Sequence, residues 1–104
     1  MRRGEIWWAR MPEPAGRRPV VLVSRDSAYA VRASVTVLEV STAIRGIASE
    51  VALGLRDGLP RKCVANADNI QTIPKTWLDA RIAALRPQKL IELDSAMRFS
   101  LGMN

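Results

Sequence analysis

The sequence predicts a mainly β fold of about seven short strands followed by one C-terminal helix. Short runs rich in β-branched and aromatic residues recur along the chain, and proline and glycine signals separate them. The last segment instead places its apolar residues at helical spacing. Strands this short and closely spaced usually close into a small barrel or half-open roll, because a flat sheet would leave unpaired edges.

The predicted strands follow one another with short turns between them. The second strand is a valine-rich run that starts at Pro19, a position in a strand that tolerates proline. The fifth strand starts at Cys63, which we expect to be buried, because a free cysteine usually behaves as a small apolar residue. The strands are predicted at residues 5–10, 19–24, 34–41, 50–53, 63–65, 69–73 and 80–85. Residues 11–17 and 25–33 are predicted to be loops, and residues 74–78 a helical turn.

The sequence contains signals for the start, the apolar face and the end of the C-terminal helix. Pro87 occupies the first helical position, where its missing N–H costs no hydrogen bond, and Gly102 suits the end. The apolar face consists of Leu90, Leu93, Met97 and Leu101. A helix of this kind covers one side or one end of a barrel.

The composition indicates a polyanionic partner. The 104 residues include 16 basic and 10 acidic side chains, for a net charge of +6, and 13 of the basic residues are arginines. The planar guanidinium of arginine matches pairs of phosphate oxygens. A genome rich in G and C, which favours arginine codons, is the alternative explanation. The length suits one domain, which we assign to residues 1–104.

The residues that are missing exclude several kinds of chemistry. The chain has no histidine, which excludes histidine-based acid–base catalysis, a serine–histidine dyad and most zinc sites. Cys63 is the one cysteine, so no internal disulfide can form. No apolar run is long enough to span a bilayer, and no signal-peptide apolar region follows Met1. We therefore expect a cytoplasmic protein with no membrane partner.

Five segments carry a family resemblance. They are RGEIWW at residues 3–8, GRRPVVLVS at residues 16–24, VLEVST at residues 37–42, NADNIQTI at residues 66–73 and ARIAAL at residues 80–85. Each segment is weak evidence alone. In this order and at these separations, the five together resemble the MazF/PemK toxins of bacterial toxin–antitoxin systems over nearly the whole chain.

The resemblance implies a fold and an activity. The fold would be an SH3-like barrel shared with gyrase-poisoning toxins of the CcdB type, and the protein would be a homodimer. The activity would be sequence-specific cleavage of single-stranded RNA without a metal or other cofactor. A cognate MazE-like antitoxin with an acidic, flexible tail would inhibit it. The apolar helix face and the pair Trp7-Trp8 are the sequence features that we connect with dimer formation.

The resemblance assigns a catalytic role to Arg18 and Ser41. Arg18 matches the family's catalytic arginine, and Pro19 after it favours an extended backbone there. Because a guanidinium, with an ordinary pKa of about 12.5 or more, is a poor acid at neutral pH, we favour charge stabilisation as its main role and leave proton donation open. The structural alternative is an ion pair of Arg18 with Glu13 or Asp68.

Ser41 matches the family's catalytic serine or threonine, whose hydroxyl could donate to a phosphate oxygen where negative charge develops. Thr42 would replace Ser41 if the register differs by one residue. The alternative for Ser41 is a serine that closes a turn at the end of a strand. Metal-free cleavage of this kind uses the 2′-hydroxyl of the RNA as nucleophile and leaves a 2′,3′-cyclic phosphate and a 5′-hydroxyl.

Further polar residues are candidates for RNA binding. Arg17 and Arg45 are plausible phosphate contacts, although surface arginines are usually only solvated, and Thr42 is a further candidate for RNA binding. The polar side chains of Asp68, Asn69 and Gln71 could read base edges, or they could close turns at strand ends. Trp7 and Trp8 point to opposite faces of a strand, and we expect core or interface positions for both.

The sequence is also compatible with two other functions. One is a toxin of the same fold that poisons gyrase by protein contact without catalysis. The other is an RNA-binding module without enzymatic activity. In one respect the sequence departs from many family members, which have a longer, glycine-rich first loop with a Ser-Glu-Gln-like run. Residues 11–16 form that loop here, and we assign no role to Glu13.

Overall fold

The computed structural model describes residues 1–103, which form one curled antiparallel sheet and a C-terminal helix. The strands are β1 (Glu5–Arg10), β2 (Arg17–Leu22), β3 (Ser34–Ser41), β4 (Glu50–Leu53), β5 (Cys63–Pro74) and β6 (Leu78–Ala84), and the helix is α1 (Pro87–Ser100). Their order across the sheet is β4-β5-β3-β2-β1-β6. The mainly β half-barrel with one terminal helix confirms the predicted fold class.

The strand count is six instead of seven, because the two predicted strands at residues 63–65 and 69–73 are parts of β5. The turn-forming residues between them stay in the sheet. Asn66 pairs with Glu50, and the N–H of Ala67 donates to the carbonyl of Ser49 at 2.7 Å. The Oδ1 of Asn66 accepts a hydrogen bond from the Asp68 N–H at 2.8 Å. These partners turn a predicted break into an irregularity in the pairing of β5 with β3.

Two apolar cores lie on opposite faces of the sheet. Val20 and Val21 are neighbours in β2, and both are fully buried, but they belong to different cores. The valine-rich pattern of β2 therefore reflects a strand that is covered on both faces. The loop after β2 covers one face, because it contains a short 3-10 turn (Asp26–Ala28) followed by the buried Tyr29. Another 3-10 turn (Lys75–Trp77) confirms the helical turn predicted at residues 74–78.

The helix covers the other face of the sheet. Leu93 is fully buried against the sheet, and Leu90 and Met97 pack around it, as the apolar spacing predicts. The prediction for Leu101 is wrong: its side chain is 55% exposed, because α1 ends at Ser100 and the chain turns away. Three of the four residues of the predicted apolar strip therefore pack against the core of this chain. Within residues 1–103 no helix is long and apolar enough to cross a membrane.

Candidate active site

A cavity of about 170 Å³ opens where β1, β2 and β3 meet the connection between β4 and β5. Its polar lining comes from Arg18, Ser41, Thr42 and Arg61. Its apolar lining comes from Trp8, Pro19, Val40, Leu59, Pro60 and Cys63. Arg18 and Ser41 lie on neighbouring strands, β2 and β3, so the pairing of these strands brings both predicted catalytic residues to one cavity.

Arg18 is held by its Nε atom. The Nε–H donates to the carbonyl of Ala15 at 3.1 Å, and Nε lies 3.8 Å from Oε1 of Glu39. Within the described residues, the two Nη nitrogens of Arg18 have no hydrogen-bond partner. The carboxylate next to Arg18 is thus Glu39, and the expected alternatives Glu13 and Asp68 form no ion pair with it. The short loop before β2 contributes the Ala15 carbonyl to this arrangement.

Glu39 links Arg18 to Gln71, one of the predicted RNA contacts. Its other carboxylate oxygen, Oε2, accepts a hydrogen bond from the side-chain amide of Gln71 at 3.1 Å. The side chains of Glu39 and Arg18 are 28% and 44% exposed. Because solvent screens such a pair, it orients the guanidinium more than it stabilises the fold. Gln71 therefore lies near Arg18, with its amide occupied by Glu39.

Within residues 1–103, the hydroxyl proton of Ser41 is donated to no acceptor. Its Oγ accepts a hydrogen bond from the N–H of Ala43 at 3.0 Å, which closes the turn after β3. A serine hydroxyl that accepts one hydrogen bond retains its O–H as a donor. The turn-closing alternative and the donor role are therefore compatible. Thr42 also lines the cavity and is more exposed than Ser41.

A tryptophan and an arginine form one wall beside the cavity. The guanidinium of Arg17 lies over the ring of Trp8, 4.6 Å from the ring centre. Asp79 holds Arg17 through a contact of 2.9 Å with its Nε, and Arg10 contacts the same oxygen at 3.2 Å. Hydrogen bonds from Arg10 and Arg17 lower the pKa of Asp79 below its usual value. Trp7 points to the other face of the sheet and packs against the core that contains Val20.

Of the predicted RNA contacts, Thr42 lines the cavity and Arg17 and Gln71 lie beside it. The other three lie farther from it. Arg45 lies in the exposed loop after β3, where its backbone N–H donates to Glu50. Asp68 accepts hydrogen bonds from Ser49 at 2.7 Å and Ser100 at 2.8 Å, and these bonds lower its pKa. Asn69 is exposed on β5. Asp68 thus links the sheet to the end of α1, a role that its place in the sequence did not indicate.

Cys63 starts β5 and is 4% exposed, as predicted. Burial, together with the charge of Asp57, raises the pKa of its thiol. The thiol therefore stays protonated at neutral pH and forms part of the apolar wall of the cavity. A neutral, buried thiol is a poor nucleophile.

Sequence reasoning missed Glu39 and Arg61. The alternation of a strand gave a signal for Glu39, because it lies two residues before Ser41 in β3 and shares its face. Its proximity to Arg18 depends on the register between β2 and β3, which the sequence does not reveal. Arg61 reaches the cavity because the segment before β5 folds back over the sheet, and no local pattern predicts that path.

The cavity offers cationic and hydroxyl donors, which suit a phosphodiester. Arg18 can present two Nη donors to phosphate oxygens, and Ser41 can add a hydroxyl donor. Among residues 1–103 no group of three His, Cys, Asp or Glu side chains could hold a metal ion. The Nη donors of Arg18 and the hydroxyl of Ser41 are suited to stabilising a charged phosphorane through hydrogen bonds.

The chain is similar to known proteins over nearly its full length. A family model described as PemK-like, MazF-like toxin of type II toxin-antitoxin system matches residues 2–101. The Mycobacterium tuberculosis protein named probable endoribonuclease MazF2 is 39% identical over 103 residues, which cover 98% of this chain and 99% of the relative.

Two solved structures show the same fold. The Mycobacterium tuberculosis toxin MazF-mt6 superposes with a TM-score of 0.89 at 29% identity, covering 96% of this chain and 98% of the other. An endoribonuclease in complex with its cognate antitoxin, from a mycobacterial species, superposes with a TM-score of 0.88 at 28% identity. That match covers 100% of this chain and 97% of the other.

Proposed function

This chain belongs to the PemK-like, MazF-like toxins of type II toxin–antitoxin systems, and we propose that it acts in such a system as an endoribonuclease. Its proposed reaction is sequence-specific, metal-independent cleavage of single-stranded RNA to 2′,3′-cyclic phosphate and 5′-hydroxyl ends. The observation that carries the proposal is the cavity in which β2 supplies Arg18 and β3 supplies Ser41. Relatives named as endoribonucleases support the activity.

The proposed reaction is an internal transesterification. The 2′-oxygen of the RNA forms a bond to phosphorus, and the bond from phosphorus to the 5′-oxygen breaks. The 2′-hydroxyl loses its proton, and the leaving 5′-oxygen gains one. Arg18 holds the non-bridging oxygens through its Nη atoms while negative charge develops on them, and the Ser41 hydroxyl donates to the same group. Positioning the 2′-oxygen in line with the leaving oxygen supplies the rest of the rate enhancement.

The surroundings of the cavity support a role in RNA binding. Arg17 over Trp8 forms a cationic and apolar wall, against which an unstacked base and its phosphate can lie. Thr42 adds a hydroxyl at the mouth of the cavity. Arg45, Asn69, Gln71 and Asp68 are proposed contacts for nucleotides beyond the scissile phosphate. Sequence specificity would arise from these outer contacts.

We extend the proposal to two protein partners. A solved relative is described as an endoribonuclease in complex with its cognate antitoxin, and we propose an antitoxin partner for this chain also. An acidic antitoxin segment would be attracted to a basic site of this kind. The homodimer is proposed from apolar side chains that stay exposed on the outer side of α1 and just after it, which include Ile91, Phe99 and Met103. A monomer at micromolar concentration in sedimentation would contradict the dimer.

The test is to map the cut ends of a defined long RNA in the presence of EDTA. We expect cyclic phosphate ends with the unmodified protein, and a rate lower by about 10² or more with Arg18→Ala, the loss typical when a charge-stabilising donor is removed. Arg98→Ala is the matched control, because Arg98 is exposed on α1 outside the cavity. Equal rates for folded Arg18→Ala and Arg98→Ala would overturn the proposal, as would retention of gyrase in a pull-down with no RNA cut.

A further inference from the structure

A second cavity lies on the other side of the β4–β5 connection, and basic side chains surround it. Its volume is about 440 Å³, and its cationic residues are Arg56, Lys62, Arg86 and Lys89. We call it the basic groove. Its apolar lining includes Leu55, a residue that is 77% exposed. None of the RNA contacts expected from the sequence lies in this groove.

Some of the cationic side chains in the basic groove already have partners within the protein, and others are available to a ligand. Arg86 lies 3.5 Å from the buried carboxylate of Asp57, and Lys89 donates to the carbonyl of Ala52 at 2.6 Å and lies 3.5 Å from Glu92. Arg56 and Lys62 are exposed, and neither forms an ion pair in the part of the chain that the structure describes. The uncompensated positive charge of the groove is therefore carried by Arg56 and Lys62.

The segment between the two cavities, residues 54–62, is firmly held. Leu59 is buried in the core, and the Oδ2 of Asp57 accepts a hydrogen bond from the N–H of Gly54 at 3.0 Å. Pro60 and Arg61 face the cavity of Arg18, and Lys62 faces the basic groove. One ordered ridge thus carries cationic side chains on both sides. An ordered backbone beneath these side chains lowers the entropic cost of binding a polyanion, because no loop has to be ordered on binding.

We propose that the basic groove binds the phosphate backbone of the RNA strand that extends out of the cavity. This inference rests on the proposed function, because it continues the path of the same strand. A strand whose scissile phosphate meets Arg18 carries further phosphates at every nucleotide. Arg61, Lys62 and Arg56 offer those phosphates successive cations, and Leu55 offers apolar surface to an unstacked base. An acidic peptide is the competing occupant, but a groove that adjoins the proposed cleavage cavity favours RNA.

The test compares RNAs of two lengths on the double variant Arg56→Gln/Lys62→Gln. The probes are 2′-O-methyl RNAs, which cannot be cleaved, of about four and about sixteen nucleotides, a span typical of single-strand sites. For the long RNA we expect the Kd to rise roughly tenfold at moderate salt. The slope of log Kd against log salt should fall by about 1.4, because each lost phosphate contact removes about 0.7 from it. The short RNA should bind with an unchanged Kd.

The matched control is Arg32→Gln/Arg98→Gln, which removes the same charge from exposed positions outside both cavities. Equal losses for the two double variants, or none for the groove variant, would overturn the proposal. So would a polyglutamate peptide that loses affinity for the groove variant while long RNA does not. Cleavage of an unmodified RNA is measured separately. If the protein cuts no RNA but the groove variant still loses long-RNA affinity, the ribonuclease proposal fails and the groove proposal stands.

Discussion

The Nε atom of Arg18 lies 3.8 Å from Oε1 of Glu39, across the pair of strands β2 and β3. This contact and the hydrogen bond from Nε to the Ala15 carbonyl approach the guanidinium from one side. The opposite edge, with both Nη atoms, remains available to a ligand in the cavity. Glu39 is therefore placed to orient Arg18 without occupying the donors that a phosphate would need.

We predict that Glu39→Gln lowers kcat for RNA cleavage by roughly tenfold and leaves KM almost unchanged. The variant removes the charge that orients Arg18, and small displacements of a catalytic group are costly for the rate. The ion pair is partly exposed, so the free energy of unfolding should change by less than about 1 kcal/mol. Steady-state kinetics and urea unfolding of the same preparation measure both effects.

The control for Glu39 is Glu13→Gln, which removes the same charge from an exposed loop position. Its kcat should equal that of the unmodified protein. A Glu39→Gln enzyme with full kcat would show that the Ala15 carbonyl alone suffices to orient Arg18.

The hydroxyl groups at the end of β3 differ in the effect expected from their removal. Ser41→Ala should lower kcat about 10²-fold, because it removes a donor to the transition state. Ser41→Thr keeps a hydroxyl and should retain most of the rate. Thr42→Ala should change kcat by less than about threefold, because Thr42 lies at the exposed mouth of the cavity. Single-turnover rates at saturating enzyme measure the chemical step. The reverse order of the two losses would make Thr42 the donor.

Local sequence patterns predicted what depends on neighbouring residues in the chain. Pro87 and the leucine spacing predicted α1, and the valine run predicted β2. The patterns failed where a distant partner decides the structure. Residues 66–68 form turns in many contexts, but Ser49 and Glu50 pair with them and keep β5 continuous. The candidate site follows the same division: the family motif indicated Arg18, whereas Glu39 required the register between two strands.

The ridge between the cavities depends on a glycine that no other residue can replace without strain. Gly58 has a φ of +86°, and a Cβ added there would lie 3.1 Å from the Cβ of Ala83. Gly58→Ala should therefore lower the free energy of unfolding by about 2–3 kcal/mol through backbone strain and overpacking. Gly46→Ala is the control, because Gly46 has a φ of +70° and open space around it.

The Gly46→Ala variant should lose only about 1 kcal/mol, the cost of the left-handed conformation alone. Urea unfolding of the two variants under the same conditions measures the difference between them. Equal losses would mean that Ala83 moves aside at little cost, and that the ridge is held less tightly than its contacts indicate.

Because Tyr29 is buried, we expect the free energy of unfolding to depend on pH in the alkaline range. Its O–H donates to the Ser24 carbonyl at 3.0 Å, and burial, above all, raises its pKa from 10.0 to about 12. Between these values the unfolded chain releases the phenolic proton and the folded chain keeps it, so the free energy of unfolding falls as pH rises, by about 2–3 kcal/mol in total. Tyr29→Phe should lack this part of the loss. Urea unfolding of both proteins from pH 8 to pH 12 measures it, and parallel pH profiles would contradict the raised pKa.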